Sequence, residues 1–241
     1  MTFKNQISTG ILLATLLAPP SAVLITELSK TTATHVYEAN SAAAVTIRVE
    51  YDKVIYDKDG KEIGMIPAYE ADGSGTVIRE DGVILTANHV VSIEAGYKMI
   101  IKVYLQDGTI RTAKIVKTYP QDMAVLKINK QKSDTVFHIS GLASIDTVDI
   151  GEDIFVIGFP FGEVQRSLST GVVSQVNRQD SMFVTDAAVN HGNSGGGAYD
   201  SRGRIVGVVD AMLTGNADQN SGVGLCLGVD DIIKDLKEGK I

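Results

Sequence analysis

Gly192-Asn193-Ser194-Gly195-Gly196-Gly197 is the stretch on which the reading of this chain turns. A serine set among glycines keeps its backbone amides clear of side chains, so they can converge on a developing oxyanion. The run also fits the G-x-S-x-G nucleophile elbow of α/β-hydrolases, in which the acid and the histidine follow the serine. All four histidines, His35, His89, His138 and His191, precede Ser194. The hydrolase order is therefore excluded, and the order His…Asp…Ser stays open.

Working outward, His89 sits in Leu85-Thr86-Ala87-Asn88-His89-Val90-Val91, directly after a strand-like run, where a strand end could aim an imidazole into a cleft. Asp122 stands immediately before the apolar run Met123–Ile128, a place for a partly buried carboxylate. Spacing alone does not select these two. Asp107, Asp134, Asp146, Asp149, Asp153, Asp180 and Asp186 also lie between His89 and Ser194.

From Ala42 onward the chain reads as short β-rich runs: Ala44–Val49, Thr76–Arg79, Val83–Thr86, Met99–Leu105, Ala113–Thr118, Ala124–Ile128, Asp153–Ile157, Leu168–Gln175, Met182–Thr185, Arg204–Val209 and Gly222–Leu227. Turn signals stand between them at Asp81–Gly82, Asp107–Gly108 and Arg202–Gly203. About a dozen short strands fit a sandwich or a pair of barrels rather than alternating βα units. The break Asn129–Gly141 divides them into two similar halves. Tyr51–Gly73, rich in Asp, Lys and Gly, reads as a long surface hairpin or solvated loop. Only the end reads as helix, with Val229, Ile232, Ile233 and Leu236 at helical spacing, Asp230 near its start and Gly239 at its stop. The expectation is all-β: two β-barrels, a linker and a closing C-terminal helix.

The chain has 241 residues, 44% hydrophobic and 21% charged, with 24 glycines and 6% aromatics, enough for one large or two small β domains. A net charge of −7 argues against nucleic acid or an anionic membrane surface as partner. One cysteine, Cys226, permits no intrachain disulfide and does not fix the compartment. Near the N-terminus, Lys4 precedes the apolar run Ile11–Ala18, and the first acid is Glu27. That resembles a secretory signal, although Pro19–Pro20 interrupts the run and no clean A-x-A site follows. Residues 1–34 are thus expected to be signal-like or anchor-like. Export to a periplasmic or extracellular space is expected, with membrane contact only if the segment stays uncleaved.

Five segments carry a family resemblance. They are Gly73-Ser74-Gly75-Thr76, Thr86–Val91, Asp122–Lys127, Gly158-Phe159-Pro160-Phe161-Gly162 and Thr185-Asp186-Ala187-Ala188-Val189-Asn190-His191-Gly192-Asn193-Ser194-Gly195-Gly196. In this order they resemble the HtrA/Deg-type serine proteases, over roughly residues 40–235. The resemblance implies a chymotrypsin-like double barrel of two six-stranded antiparallel β-barrels, about 40–130 and 140–230, within a protease domain of 35–241. It implies a catalytic triad of His89, Asp122 and Ser194 and needs no metal or cofactor. With the chain ending at Ile241, the PDZ module usual in that family is not expected, and a homo-oligomer is possible.

On that resemblance, Ser194 attacks a scissile carbonyl, His89 takes and returns the proton, and Asp122 orients the imidazole. The oxyanion hole falls on Gly192, Asn193 and Ser194, with the amides of Gly192 and Ser194 donating and Asn193 shaping the backbone between them. The substrate pocket falls on Ala188, the strand Val209-Asp210-Ala211-Met212, and Leu225-Cys226. It lacks an acidic base, which implies cleavage of polypeptides after small to medium aliphatic residues. Read without the resemblance, Ser194 is a turn serine, His191 a residue flanking the cleft, Asp186 a structural hydrogen bonder and Cys226 a buried inert thiol. The rival functions are a latent, chaperone-like polypeptide binder of the same fold, an esterase, and a processing protein that cuts one partner.

Overall fold

The runs read from the sequence become strands, most with ends shifted by a few residues, in a computed structural model that describes residues 30–132, 136–160, 165–212 and 223–241. The side chains of Ala211 and Met212 lie outside that description, as does the signal-like run Ile11–Ala18. The chain forms α1 (Thr32–Asn40), then β1 (Ala44–Tyr56), β2 (Glu62–Arg79), β3 (Val83–Ala87), β4 (Tyr97–Tyr104), β5 (Ile110–Tyr119) and β6 (Met123–Ile128). After the connection follow β7 (Asp153–Gly158), β8 (Ser167–Asn177), β9 (Met182–Thr185), β10 (Gly197–Tyr199), β11 (Ile205–Met212), β12 (Gly224–Gly228) and α2 (Asp230–Lys237). Strands β1–β6 close one antiparallel barrel in the order β1-β2-β3-β6-β5-β4, and β7–β12 close a second in the order β10-β11-β12-β9-β8-β7. Of the two architectures the strand pattern allowed, the pair of barrels is the one formed.

The alternation of side chains explains why several strands read as unbroken apolar runs. Along β3, Ile84 and Ala87 point into the first barrel while Val83 and Leu85 face the seam between barrels. In β6, Ala124, Leu126 and Ile128 fill the barrel, and Met123 and Val125 face the seam. The second barrel mirrors this: Ile154 and Val156 of β7 point inward, whereas Phe155 and Ile157 join Tyr199, Ile205 and Leu227 in the seam. Each such fully buried aliphatic side chain contributes about 1.5–3 kcal/mol. A strand between two cores needs apolar residues on both faces.

Tyr51–Gly73 takes the hairpin of its two readings, not the solvated loop: it continues β1 and β2 as a paired ribbon from Ala44↔Thr76 to Tyr56↔Glu62, with Tyr51 stacked on Tyr69 at 4.5 Å. Two elements were not read from the sequence. Helix α1 went unread because its buried stripe of Ala33, Val36, Tyr37 and Asn40 is short and weakly apolar. Strand β10, three residues long, is hidden in the glycine run yet pairs with both β7 and β11. Helix α2 falls where the spacing places it, with Asp230 and Asp231 in its first turn and Lys234 and Lys237 in its last, matching the helix dipole.

Candidate active site

Three connections bring His89, Asp122 and Ser194 to the cleft where the barrels meet. Strand β3 ends in a single 3-10 turn, Asn88–Val90, which carries His89. The β5–β6 turn carries Asp122, whose φ of 55° places it in the left-handed region that Asp tolerates better than most residues. That conformation leaves the Asp122 carbonyl to accept from Asn88 N–H at 2.7 Å. The two carboxylate oxygens divide their work: Oδ1 accepts the His89 backbone N–H at 3.0 Å, and Oδ2 lies 2.5 Å from His89 Nδ1. Two bonds to one residue fix both the position and the ring orientation of His89. Among the described residues, no other histidine pairs with a carboxylate.

Ser194 lies between β9 and β10. Its loop is pinned at several points, by Asn193 N–H on Asn190 O (3.0 Å), Gly195 N–H on Val209 O (2.7 Å) and Gly196 N–H on Asn193 O (2.9 Å). The amides of Gly192 and Ser194 have no partner among the described residues. The glycines have a second reason beyond leaving amides clear. Gly195, at φ 84°, approaches the first barrel so closely that a Cβ there would stand 2.2 Å from Ser74 O and from Thr86 Oγ1. Ser74 N–H in turn donates to Ser194 O at 2.8 Å, tying the serine to β2.

The Ser194 hydroxyl donates to the carbonyl oxygen of Asp210 at 3.1 Å. The carboxylate of that same Asp210 reaches the other side of the site, with Oδ1 3.7 Å from His89 Nδ1. Burial, then a hydrogen bond to Asp122, pushes the Asp210 carboxyl up to about 6, against the pull of His89. His89, Asp122 and Asp210 offer ligating atoms within 4.8 Å of one another. The 2.5 Å spacing of Nδ1 and Oδ2 is that of a shared proton, since two ligands of one zinc ion stand about 3 Å apart or more.

The residues assigned to a pocket divide. Ala188 is exposed and Leu225 half-buried, as lining residues would be. Val209 and Cys226 are corrections: both are 0% exposed and belong to the core of the second barrel with Phe183 and Ala187. Strand alternation turns them inward, and burial raises the Cys226 thiol far above its ordinary range, as an inert thiol requires. Asp210 is also a correction, because its carboxyl faces His89 and Asp122. Ala211 and Met212 place only their backbone, paired with Leu225 and Gly224. Asn193, grouped with the oxyanion hole, has its amide engaged by Asn190 and so acts through the loop's shape.

The competing carboxylates take other work. Asp107 accepts from Thr109 N–H, Asp149 pairs with Arg178, Asp180 with Asn177, and Asp186 accepts from Val172 N–H at 2.6 Å. Asp134 lies outside the described residues. His191 is exposed beside the loop.

Two interlocked six-stranded barrels with a serine loop facing a His–Asp pair define the chymotrypsin-type class. The trypsin-like peptidase domain family matches residues 73–208, and the chain belongs to that family. It is 38% identical over 168 residues to a probable periplasmic serine endoprotease, DegP-like, of Brucella suis, an alignment covering 66% of this chain and 31% of that protein. With the periplasmic serine endoprotease DegP of Escherichia coli it shares 33% over 173 residues, 68% of this chain and 35% of the relative. The chain thus spans about a third of the length of these relatives. The solved structure of the HtrA-type protease AlgW with a decapeptide has the same fold, with a TM-score of 0.67 at 23% identity over 86% of this chain and 68% of that one.

Proposed function

We propose that the chain is a serine endopeptidase whose triad is His89, Asp122 and Ser194. The observation that carries this reading is Asp122 gripping His89 by both its backbone amide and Nδ1, opposite a serine whose loop offers two amides without a partner among the described residues. Ser194 Oγ attacks the peptide carbonyl as His89 Nε2 takes its proton, and the imidazolium then protonates the leaving amine. Asp122 keeps Nδ1 protonated, so Nε2 is the basic nitrogen. The amides of Gly192 and Ser194 bind the oxyanion, each contributing about 100- to 1,000-fold in rate. Water repeats the sequence on the acyl-enzyme to release the second product.

The AlgW structure holds a decapeptide, and the DegP relatives are named periplasmic endoproteases. Polypeptide substrates and an exported location, in keeping with the signal-like run at 11–18, belong to the same proposal. So does cleavage after small to medium aliphatic residues, with Ala188 and Leu225 at the pocket and the Asp210 carboxyl directed at the triad rather than into it.

One observation favours a latent, polypeptide-binding alternative: the Ser194 hydroxyl rests on the Asp210 carbonyl, and its attack requires rotation towards His89. A fluorophosphonate probe separates the two. Adduct at Ser194, absent from Ser194→Ala, together with hydrolysis of an unfolded protein, establishes the endopeptidase. A folded chain that binds unfolded polypeptide yet leaves the probe unreacted rejects the peptidase reading in favour of the binder.

A further inference from the structure

Asp210 touches all three members of the proposed triad. It is the extra residue of a β-bulge in β11: Val209 pairs with Cys226 and Ala211 with Leu225, and Asp210 between them is unpaired. Bulges take a side chain out of the strand's alternation and re-aim it. Here Asp210, next to the inward-facing Val209, is left without a partner on β12, and its side chain reaches the cleft 20% exposed. Its carbonyl accepts from the Ser194 hydroxyl, its carboxyl oxygen lies 3.7 Å from His89 Nδ1, and carboxyl oxygens of Asp210 and Asp122 lie within 4.8 Å of each other.

Two carboxyl groups form a hydrogen bond only when one of them carries a proton. Asp122 already accepts on both oxygens, from the His89 amide on Oδ1 and from Nδ1 on Oδ2. The proton therefore belongs to Asp210. The titratable groups facing it are His89 from the 3-10 turn, Asp122 from the β5–β6 turn and Cys226 from β12. Among the described residues no Lys or Arg forms an ion pair with it.

We propose that Asp210 is a positioning residue of the site, which in its protonated form donates a hydrogen bond to Asp122 and so holds that carboxylate against His89. This rests on the triad reading above. While the proton is present the two carboxyls share one negative charge, and the donor fixes Asp122. Once the proton leaves, at about pH 6, the donated bond is lost and two like charges face each other beside His89.

The test is the rate of Ser194 phosphonylation by a fluorophosphonate from about pH 4.5 to about 9 in the wild type, Asp210→Asn and Asp210→Ala. Circular dichroism checks folding, and carbon-13 NMR follows the aspartate carboxyls. Asparagine keeps a donor that cannot titrate. Asp210→Asn is expected within about threefold of wild type at low pH and without the loss of rate that Asp210 ionisation causes above about pH 6 in wild type, whereas folded Asp210→Ala is slower by about tenfold or more, the loss of one charge-assisted hydrogen bond. Wild-type rate and pH profile in Asp210→Ala overturn the proposal. So does an Asn variant as slow as the Ala variant, with wild type fastest where both carboxyls are charged. A wild type that never labels defeats the triad reading instead, and the carboxyl titration then decides. Two separated steps, the upper one removed by Asp210→Asn, support the shared proton, while two ordinary carboxylates refute it.

Discussion

Ser74, on β2 of the first barrel, donates its hydroxyl to the carbonyl oxygen of Gly192 at 2.6 Å and accepts the Phe159 N–H at 2.9 Å. One buried hydroxyl thus joins the serine loop to both barrels, and Thr86 Oγ1 holds the Ser74 carbonyl in turn at 2.7 Å. The Gly192 carbonyl belongs to the same loop residue whose amide faces the oxyanion position in the proposed mechanism. Holding the carbonyl restrains the residue and therefore the direction of its amide.

Ser74→Ala is accordingly expected to slow Ser194 labelling about 10- to 100-fold, and leaves the Gly192 carbonyl and Phe159 amide without their partner at a cost of about 1–3 kcal/mol. Labelling kinetics beside a thermal melt separate the effects. A wild-type rate in the variant removes Ser74 from the machinery.

Asp122→Asn tests the other half of the site. The amide can still meet His89 Nδ1, but now as a donor, which favours the imidazole tautomer with its proton on Nε2. A base protonated on the wrong nitrogen cannot take the proton of Ser194. The expected loss is about 10,000-fold in kcat with little change in KM, measured on an unfolded protein substrate. A loss under tenfold would show that Asp122 is not the orienting acid.

Gly195→Ala reports on the approach of the loop to the first barrel. The added methyl would stand 2.2 Å from backbone and side-chain oxygens of β2 and β3, at a residue whose φ is 84°. Neither oxygen is the free end of a flexible chain, so the loop must move. Left-handed strain and overpacking each cost about 1–3 kcal/mol. The variant is expected to melt lower and to lose labelling altogether. Normal labelling by a variant of normal stability contradicts the close approach.

How much of this was legible in the sequence follows from what each feature needs. His89, Asp122 and Ser194 stand in segments whose order and wording are specific, and the structure brings Asp122 onto His89. Individual strands were readable because turn signals such as Asp81–Gly82 and Arg202–Gly203 fall between apolar runs, and the structure places both turns between paired strands; the division into two halves was readable from the break at Asn129–Gly141. Asp210 was not readable as a neighbour of the triad. The family resemblance assigns the whole run Val209–Met212 to the pocket, and the bulge that leaves Asp210 unpaired arises from pairing with β12, which no local pattern records. Val209 and Cys226 were misassigned for the same reason, since which face of a strand turns inward is decided by closure of the barrel. The hairpin over Tyr51–Gly73 was one of two readings of its composition, but the Tyr51–Tyr69 stack depends on a pairing register that composition does not show.

Asp235, on α2, receives hydrogen bonds from Tyr119 at 2.5 Å and from Lys117, both on β5, so it fastens the closing helix to the first barrel. The Lys117 bond first, then the Tyr119 bond, hold its carboxyl below the ordinary carboxylate range. A carboxyl with a depressed folded value stabilises the fold above its unfolded pKa of about 4, and that stabilisation disappears as pH falls through the lower folded value. Asp235→Asn should therefore melt below wild type at neutral pH, and the gap should close as the solution is acidified below about pH 4. Burial of Tyr119 and its bond to Asp235 raise the phenol well above its usual value, so it stays a donor throughout that range. Thermal melts of both proteins at neutral pH and in acid decide the matter. Equal melting at neutral pH, or a gap that widens in acid, would show that the Asp235 charge is not what holds helix to barrel.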